Sequence, residues 1–122
     1  MLKSEPGSAS VHRNRFEAGA SAITLVEIGA VETCLFTENL CKVTGAEGGH
    51  SPPTPPIGLI VAEHINASNN RLIGVEKGQT ALELNTPKDR PCVVLGNISM
   101  GPLMLNGSVL PSPWVGLNLI GS

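Results

Sequence analysis

The stretch LMLNGSVL, residues 103–110, decides how this chain is read. Asn106 and Gly107 sit between two apolar runs, and a type I′ turn needs φ > 0 at both central residues. Asn and Gly meet that demand at the lowest steric cost. The pair predicts a tight hairpin with Leu105 opposite Ser108, Met104 opposite Val109 and Leu103 opposite Leu110. Both faces of that hairpin carry apolar side chains, so it is expected to be buried on two sides or to lie at an interface. The C-terminal part is therefore β-structure, and these residues are scaffold.

Working outward, short apolar runs recur at 57–62, 72–75, 80–84, 92–98, 103–105, 109–110 and 114–120. Turn residues separate them, at 66–70, 77–78, 85–91, 101–102, 106–107 and 111–113. A spacing of about ten residues with this turn chemistry predicts a mainly β unit over 57–122, a small antiparallel sandwich or open barrel. Leu82 and Leu84 share one strand face with Glu83 on the other, the alternation of a half-exposed strand.

Upstream the pattern weakens. Residues 44–56 are rich in Gly and Pro, which stop helix and strand alike, and read as a linker with an extended polyproline stretch. That stretch contains PxxP with no flanking Lys or Arg, so it reads as a stiff connector. Residues 16–43 fit two short strands, 22–28 and 31–36, within an otherwise irregular N-terminal region. One helix over 16–36 is the alternative, and Gly29 interrupts either. Residues 1–15 hold Pro6, Gly7 and several serines and read as a flexible tail.

Bulk properties narrow the function classes. A chain of 122 residues is one domain at most, and its charged fraction of 15% argues against charge-driven disorder. Aromatic content is low at 2%: Phe16, Phe36 and Trp114. Any core must be built from Val, Ile, Leu, Ala and Met. Net charge is −2 with the cations scattered, so nucleic acid is not an expected partner. Glu27 and Glu32 fall inside the most apolar window, which disfavours a membrane span. The first residues lack the apolar core of a signal peptide. Cys34, Cys41 and Cys92 make an odd count, read as reduced thiols in the cytoplasm.

The chemistry-bearing residues form no familiar constellation. Cys34, Cys41, His50 and His64 lack the close pairs of a structural zinc site. A Cys/His nucleophile set, with Glu63 beside His64, has no local signature. Asp89 is the only Asp and lies in a turn-like segment. The glycines at 45, 48 and 49 are followed by no Lys-Ser/Thr, so they are not a phosphate loop. Three glycosylation-type sequons start at Asn66, Asn97 and Asn106. The sequence thus assigns no catalytic, cofactor-binding or metal-ligating residue and implies no cofactor.

The expected role is a non-enzymatic protein-interaction or structural β-module that binds a protein partner or itself. A Cys/His-dependent enzyme or metal-binding protein is one alternative. A fragment or marginal open reading frame without a selected function is another. The hairpin reading is tested by Gly107→Val, which places a β-branched residue at φ > 0 and is expected to cost about 1–3 kcal/mol of stability in urea denaturation. An unchanged midpoint would show that the turn is not of the I′ type or that this segment is already unfolded.

Overall fold

The computed structural model describes residues 5–19, 24–44, 56–73, 79–87 and 92–121. The chain is mainly β, and its strands are β1 (Glu5–His12), β2 (Arg15–Gly19), β3 (Val26–Thr37), β4 (Leu40–Thr44), β5 (Gly58–Ser68) and β6 (Arg71–Ile73). They continue as β7 (Leu82–Asn85), β8 (Cys92–Leu95), β9 (Ile98–Ser99), β10 (Leu103–Leu105), β11 (Ser108–Val109) and β12 (Leu119–Ile120). A short 3-10 turn, Trp114–Leu117, lies between β11 and β12.

The strands are wound as a parallel β-solenoid. One sheet runs in the order β1-β3-β5-β7-β10-β11, with β8 also paired to β5, and the other runs β12-β9-β6-β4-β2. Strands consecutive in sequence mostly fall in different sheets, so each circuit returns the chain to the same face one layer further on. Every pairing is parallel except β10 with β11. The mainly β expectation holds, but the strands do not pair in the antiparallel manner of a sandwich or open barrel. Alternation and turn chemistry report that a segment is a strand. The direction in which it meets its neighbour depends on the connection, which for parallel pairs is a long crossover.

The N-terminal part follows the same logic. Strands β2 and β3 occupy most of the stretch for which one helix was the alternative. Strand β1 lies within the segment read as a tail. The two short strands expected at 22–28 and 31–36 are a single strand with a register shift between Ile28 and Val31, at the position of Gly29. The Gly/Pro-rich stretch at 45–55 lies outside the described residues. Strands β7 and β8 do not pair with each other: both pair with β5, end to end, β7 along Gly58–Val61 and β8 along Ile65–Ser68.

Inward side chains stack in columns along the solenoid axis. Val26, Gly58, Leu82 and Leu103 are in register, as are Val11, Phe36, Ala67 and Val94. Large and small residues alternate: Phe36 sits over Ala67, and a Cβ at Gly58 would lie 2.8 Å from Leu82 Cδ1. Phe36, Ile60, Leu72, Leu82, Leu84 and Leu103 are fully buried. Each contributes about 1.5–3 kcal/mol of transfer free energy.

A second column is polar. Arg13, Glu38 and Asn69 have φ of 56°, 55° and 58°, and Gly96 has 71°. Each left-handed residue turns the chain from one face to the next, and an asparagine follows it: Asn14, Asn39, Asn70 and Asn97. Asn118 completes the column after the 3-10 turn. The Asn39 Oδ1 accepts from the Asn14 N–H at 3.0 Å, the Asn70 Oδ1 from the Asn39 N–H at 2.9 Å, and the Asn97 Oδ1 from the Asn70 N–H at 2.9 Å. The Asn118 Oδ1 closes the series by accepting from the Asn97 N–H at 3.0 Å. The Nδ2 groups of Asn39, Asn70 and Asn97 each donate to the next asparagine's Oδ1 and to a main-chain carbonyl of the previous circuit, those of Val11, Phe36 and Ala67.

Asn70 is completely buried. Replacing it with Ala would remove the acceptor of the Asn39 N–H, one of the two acceptors of the Asn39 Nδ2 and the side-chain donor to the Phe36 carbonyl. The expected cost of Asn70→Ala is about 3–5 kcal/mol, against about 0.5 kcal/mol or less for Asn14→Ala at the exposed end, compared by urea midpoints. Equal effects of the two substitutions would refute the ladder as a source of stability.

Candidate functional site

The two ends of the solenoid differ. At the C-terminal end, β11 folds back antiparallel on β10, and Leu110 N–H donates to the Leu103 carbonyl at 3.0 Å. Asn106 and Gly107 have φ of 49° and 81°, as the hairpin requires. The 3-10 turn sits against β8 and is fixed by the Gly96 N–H donating to the Leu117 carbonyl at 2.9 Å. Hairpin and turn cover two sides of the last circuit.

The N-terminal end has no such cover among the described residues. Strands β1 and β2 are the outermost members of their sheets. Ala9, Val11 and Phe16 point into the column but are only partly buried, whereas Cys34, Phe36 and Cys41, one layer down, are fully buried. Among the described residues nothing donates to the Oδ1 of Asn14, the position that accepts two hydrogen bonds in Asn70 and Asn97. Among the described residues this end thus presents strand edges with no partner, apolar surface and an open polar acceptor together.

Charge gathers on the flank of the same end. A groove of about 490 Å³ beside the left-handed turns is lined by Arg13, Arg15, Glu38, Leu40 and Arg71, among others. The Arg13 guanidinium lies 3.5 Å from the Glu38 carboxylate, and Arg15 lies 3.1 Å from that of Glu17. His12 Nδ1 lies 2.7 Å from Thr37 Oγ1. These groups are exposed, so each ion pair contributes about 0–1 kcal/mol to stability.

The residues singled out for chemistry are dispersed. Cys34 and Cys41 point into the core from different sheets, and Cys92 is half-buried two layers from Cys34 with Ile65 between them. His64 is in register with Thr33, one position off the Cys34–Ile65 pair, so its side chain leaves the opposite face of the sheet. The Glu63 carbonyl accepts from the Thr86 hydroxyl at 2.8 Å. His50, Asp89 and the glycines at 45–49 lie outside the described residues. Among the described residues no three His, Cys, Asp or Glu side chains converge as metal ligands would. Asn97, the start of a sequon, is buried in the ladder and engaged through both its Oδ1 and its Nδ2.

No protein-family model, curated protein or solved structure matches the chain. The asparagine column and the open rung were not singled out in the sequence reading. Their signal is a pattern of apolar, two residues, Asn, one residue, apolar or small: Val11 to Phe16, Phe36 to Cys41, Ala67 to Leu72 and Val94 to Ser99. Successive ladder asparagines are separated by 25, 31, 27 and 21 residues, so no constant period announces them.

Burial pushes the Cys34 and Cys92 thiols up to about 11 and Cys41 to about 12, from an ordinary value of 9.0. Unfolded thiols therefore lose their protons first as pH rises. The stability they contribute is fully present below pH 9 and is lost as pH climbs from 9 toward 12. Urea midpoints recorded from pH 7 to 10.5 are expected to fall above pH 9, and to fall less steeply in Cys41→Ala. Identical slopes in the two proteins would place Cys41 in a solvated setting.

Proposed function

We propose that the chain is a non-enzymatic protein-interaction or structural β-module, acting by strand addition at its uncovered N-terminal rung. The observation that carries this reading is the contrast between the ends among the described residues: one is closed by a hairpin and a 3-10 turn, the other leaves two strand edges and half-buried apolar residues without cover. An unpaired strand edge is a template for another chain, since its main-chain donors and acceptors are already set at sheet spacing. The ladder supports the reading further. It holds the edge rigid, which lowers the ordering cost of association.

The same reading sets the partner class as protein, including the chain itself, and not nucleic acid. Arg13 and Arg15 face carboxylates and do not extend into a basic stripe. It takes the cytoplasm as the working compartment, supported by three cysteines that are all free. Among the described residues no helix is long and apolar enough to cross a membrane.

A strand-addition module must be folded before it meets a partner. Urea unfolding followed by Trp114 fluorescence and by far-ultraviolet circular dichroism is expected to give one coincident, cooperative transition. Absence of a transition would overturn the proposal and favour a fragment without a selected function.

A further inference from the structure

We infer that the occupant of the open rung is a second copy of this chain, docked head to head through the edge of β2 about a two-fold axis at Phe16. The inference rests on the strand-addition reading above and names its partner.

The two exposed edges are not equivalent. Strand β1 carries Pro6, which has no N–H to offer, and a register irregularity between Glu5 and Ser8, features that blunt an edge. Strand β2 has neither. The Leu40 N–H donates to the Asn14 carbonyl at 2.9 Å, so Asn14 turns its main-chain groups toward β4. By alternation Phe16 does the same, while the N–H and C=O of Arg15 and Glu17 point to the open edge. An approaching antiparallel strand can hydrogen-bond to those two residues.

Three registers of two antiparallel copies of β2 bring Arg15 or Glu17 of one copy opposite Arg15 or Glu17 of the other. Two of them set Arg15 against Arg15 or Glu17 against Glu17, placing like charges directly opposite, which is destabilising. The third is centred on Phe16. It sets Arg15 of each copy opposite Glu17 of the other, so both main-chain pairs and both charge pairs form at once. Phe16, partly buried in the single chain, meets its own counterpart over the joined cores. The Arg15–Glu17 ion pair within one strand, at 3.1 Å, shows that both groups already lie on the same outward face. The contact is self-complementary and closes at two copies. Head-to-tail stacking meets β11 and the 3-10 turn on the opposite end.

The test is sedimentation velocity over a concentration series, with charge reversals at the exposed edge. Wild type is expected to shift from monomer to dimer as concentration rises, and to shift less in high salt. Arg15→Glu alone and Glu17→Arg alone each create two like-charge pairs and are expected to weaken association at least 10-fold. The double variant restores Glu opposite Arg and is expected to dimerise as wild type does. An equimolar mixture of the two single variants is expected to associate even though neither does alone, a result that misfolding cannot produce. A wild-type protein that unfolds cooperatively yet stays monomeric at all concentrations would overturn this inference and leave the module reading standing. Dimerisation indifferent to the reversals would also overturn it, whereas loss of the cooperative transition would remove the reading beneath it.

Discussion

The buried asparagine column is the constraint on which the other features depend. A parallel solenoid must turn the chain sharply at the same place in every circuit, and the turn leaves main-chain N–H and C=O groups inside with no strand partner. Such groups cost about 1–3 kcal/mol each when left unpaired. An asparagine side chain offers an acceptor and two donors at the end of a short stem. At Asn39, Asn70 and Asn97 all three are used, joining the previous circuit to the next. Asp would lack the donors and bring a buried charge, and Ser could not reach both circuits. Hydrogen bonds chained in this way also polarise one another. The residue before each of Asn14, Asn39, Asn70 and Asn97 must accept a left-handed conformation. The chain meets that demand with Asn69 and Gly96, and with Arg13 and Glu38 at greater steric cost. At Gly96 the requirement is doubly strict, because an added Cβ would collide with the Asn69 side chain one circuit away.

The shortage of aromatic residues follows from this architecture. A solenoid core is a thin stack in which each layer contacts only its neighbours. Columns of Val, Ile, Leu, Ala and Cys fill it at layer spacing, and the one fully buried aromatic, Phe36, is accommodated because Ala67 lies beneath it. The cysteines belong to the same packing: Cys34 and Cys41 act as small apolar side chains in two columns, and their burial pushes the thiol pKa values up from 9.0.

Much of the strand content was legible because alternation of apolar and polar residues is local. Leu82 and Leu84 are buried with Glu83 between them half-buried, as the pattern implied. The pairings Met104 with Val109 and Leu105 with Ser108 follow from two turn residues. Strand direction was not legible, because the partner of each strand lies a full circuit away in sequence: Leu82 pairs with Gly58 and Leu103, and no local feature of 81–95 says that β7 and β8 share one neighbour. The ladder was hidden for a different reason. Asn70 lies in a segment that reads as a loop, and Asn97 lies inside an apparently continuous apolar run, although both occupy one structural position. Polar residues at irregular intervals look like surface until the circuits are superposed.

The Asn106-Gly107 hairpin has a role that its local chemistry does not disclose. In an antiparallel sandwich it would be one pair among several. Here it is the place where parallel winding ends: β11 turns back on β10 and covers the edge that β10 would otherwise present. Trp114–Leu117 does the same for β8, and Asn118 completes the ladder behind it with Nδ2 donating to the Val94 and Trp114 carbonyls. The ladder asparagines at 39, 70 and 97 are locked from both sides, and Asn118 takes one of its carbonyls from the cap itself. Among the described residues Asn14 alone is held on one side. Among the described residues the termination chemistry is thus present at one end and not at the other, where Phe16 and the main-chain groups of Arg15 and Glu17 repeat the surface that every inner circuit buries. A surface of that kind favours the geometry it is already built for, which is another strand at sheet spacing with an apolar side chain turned inward.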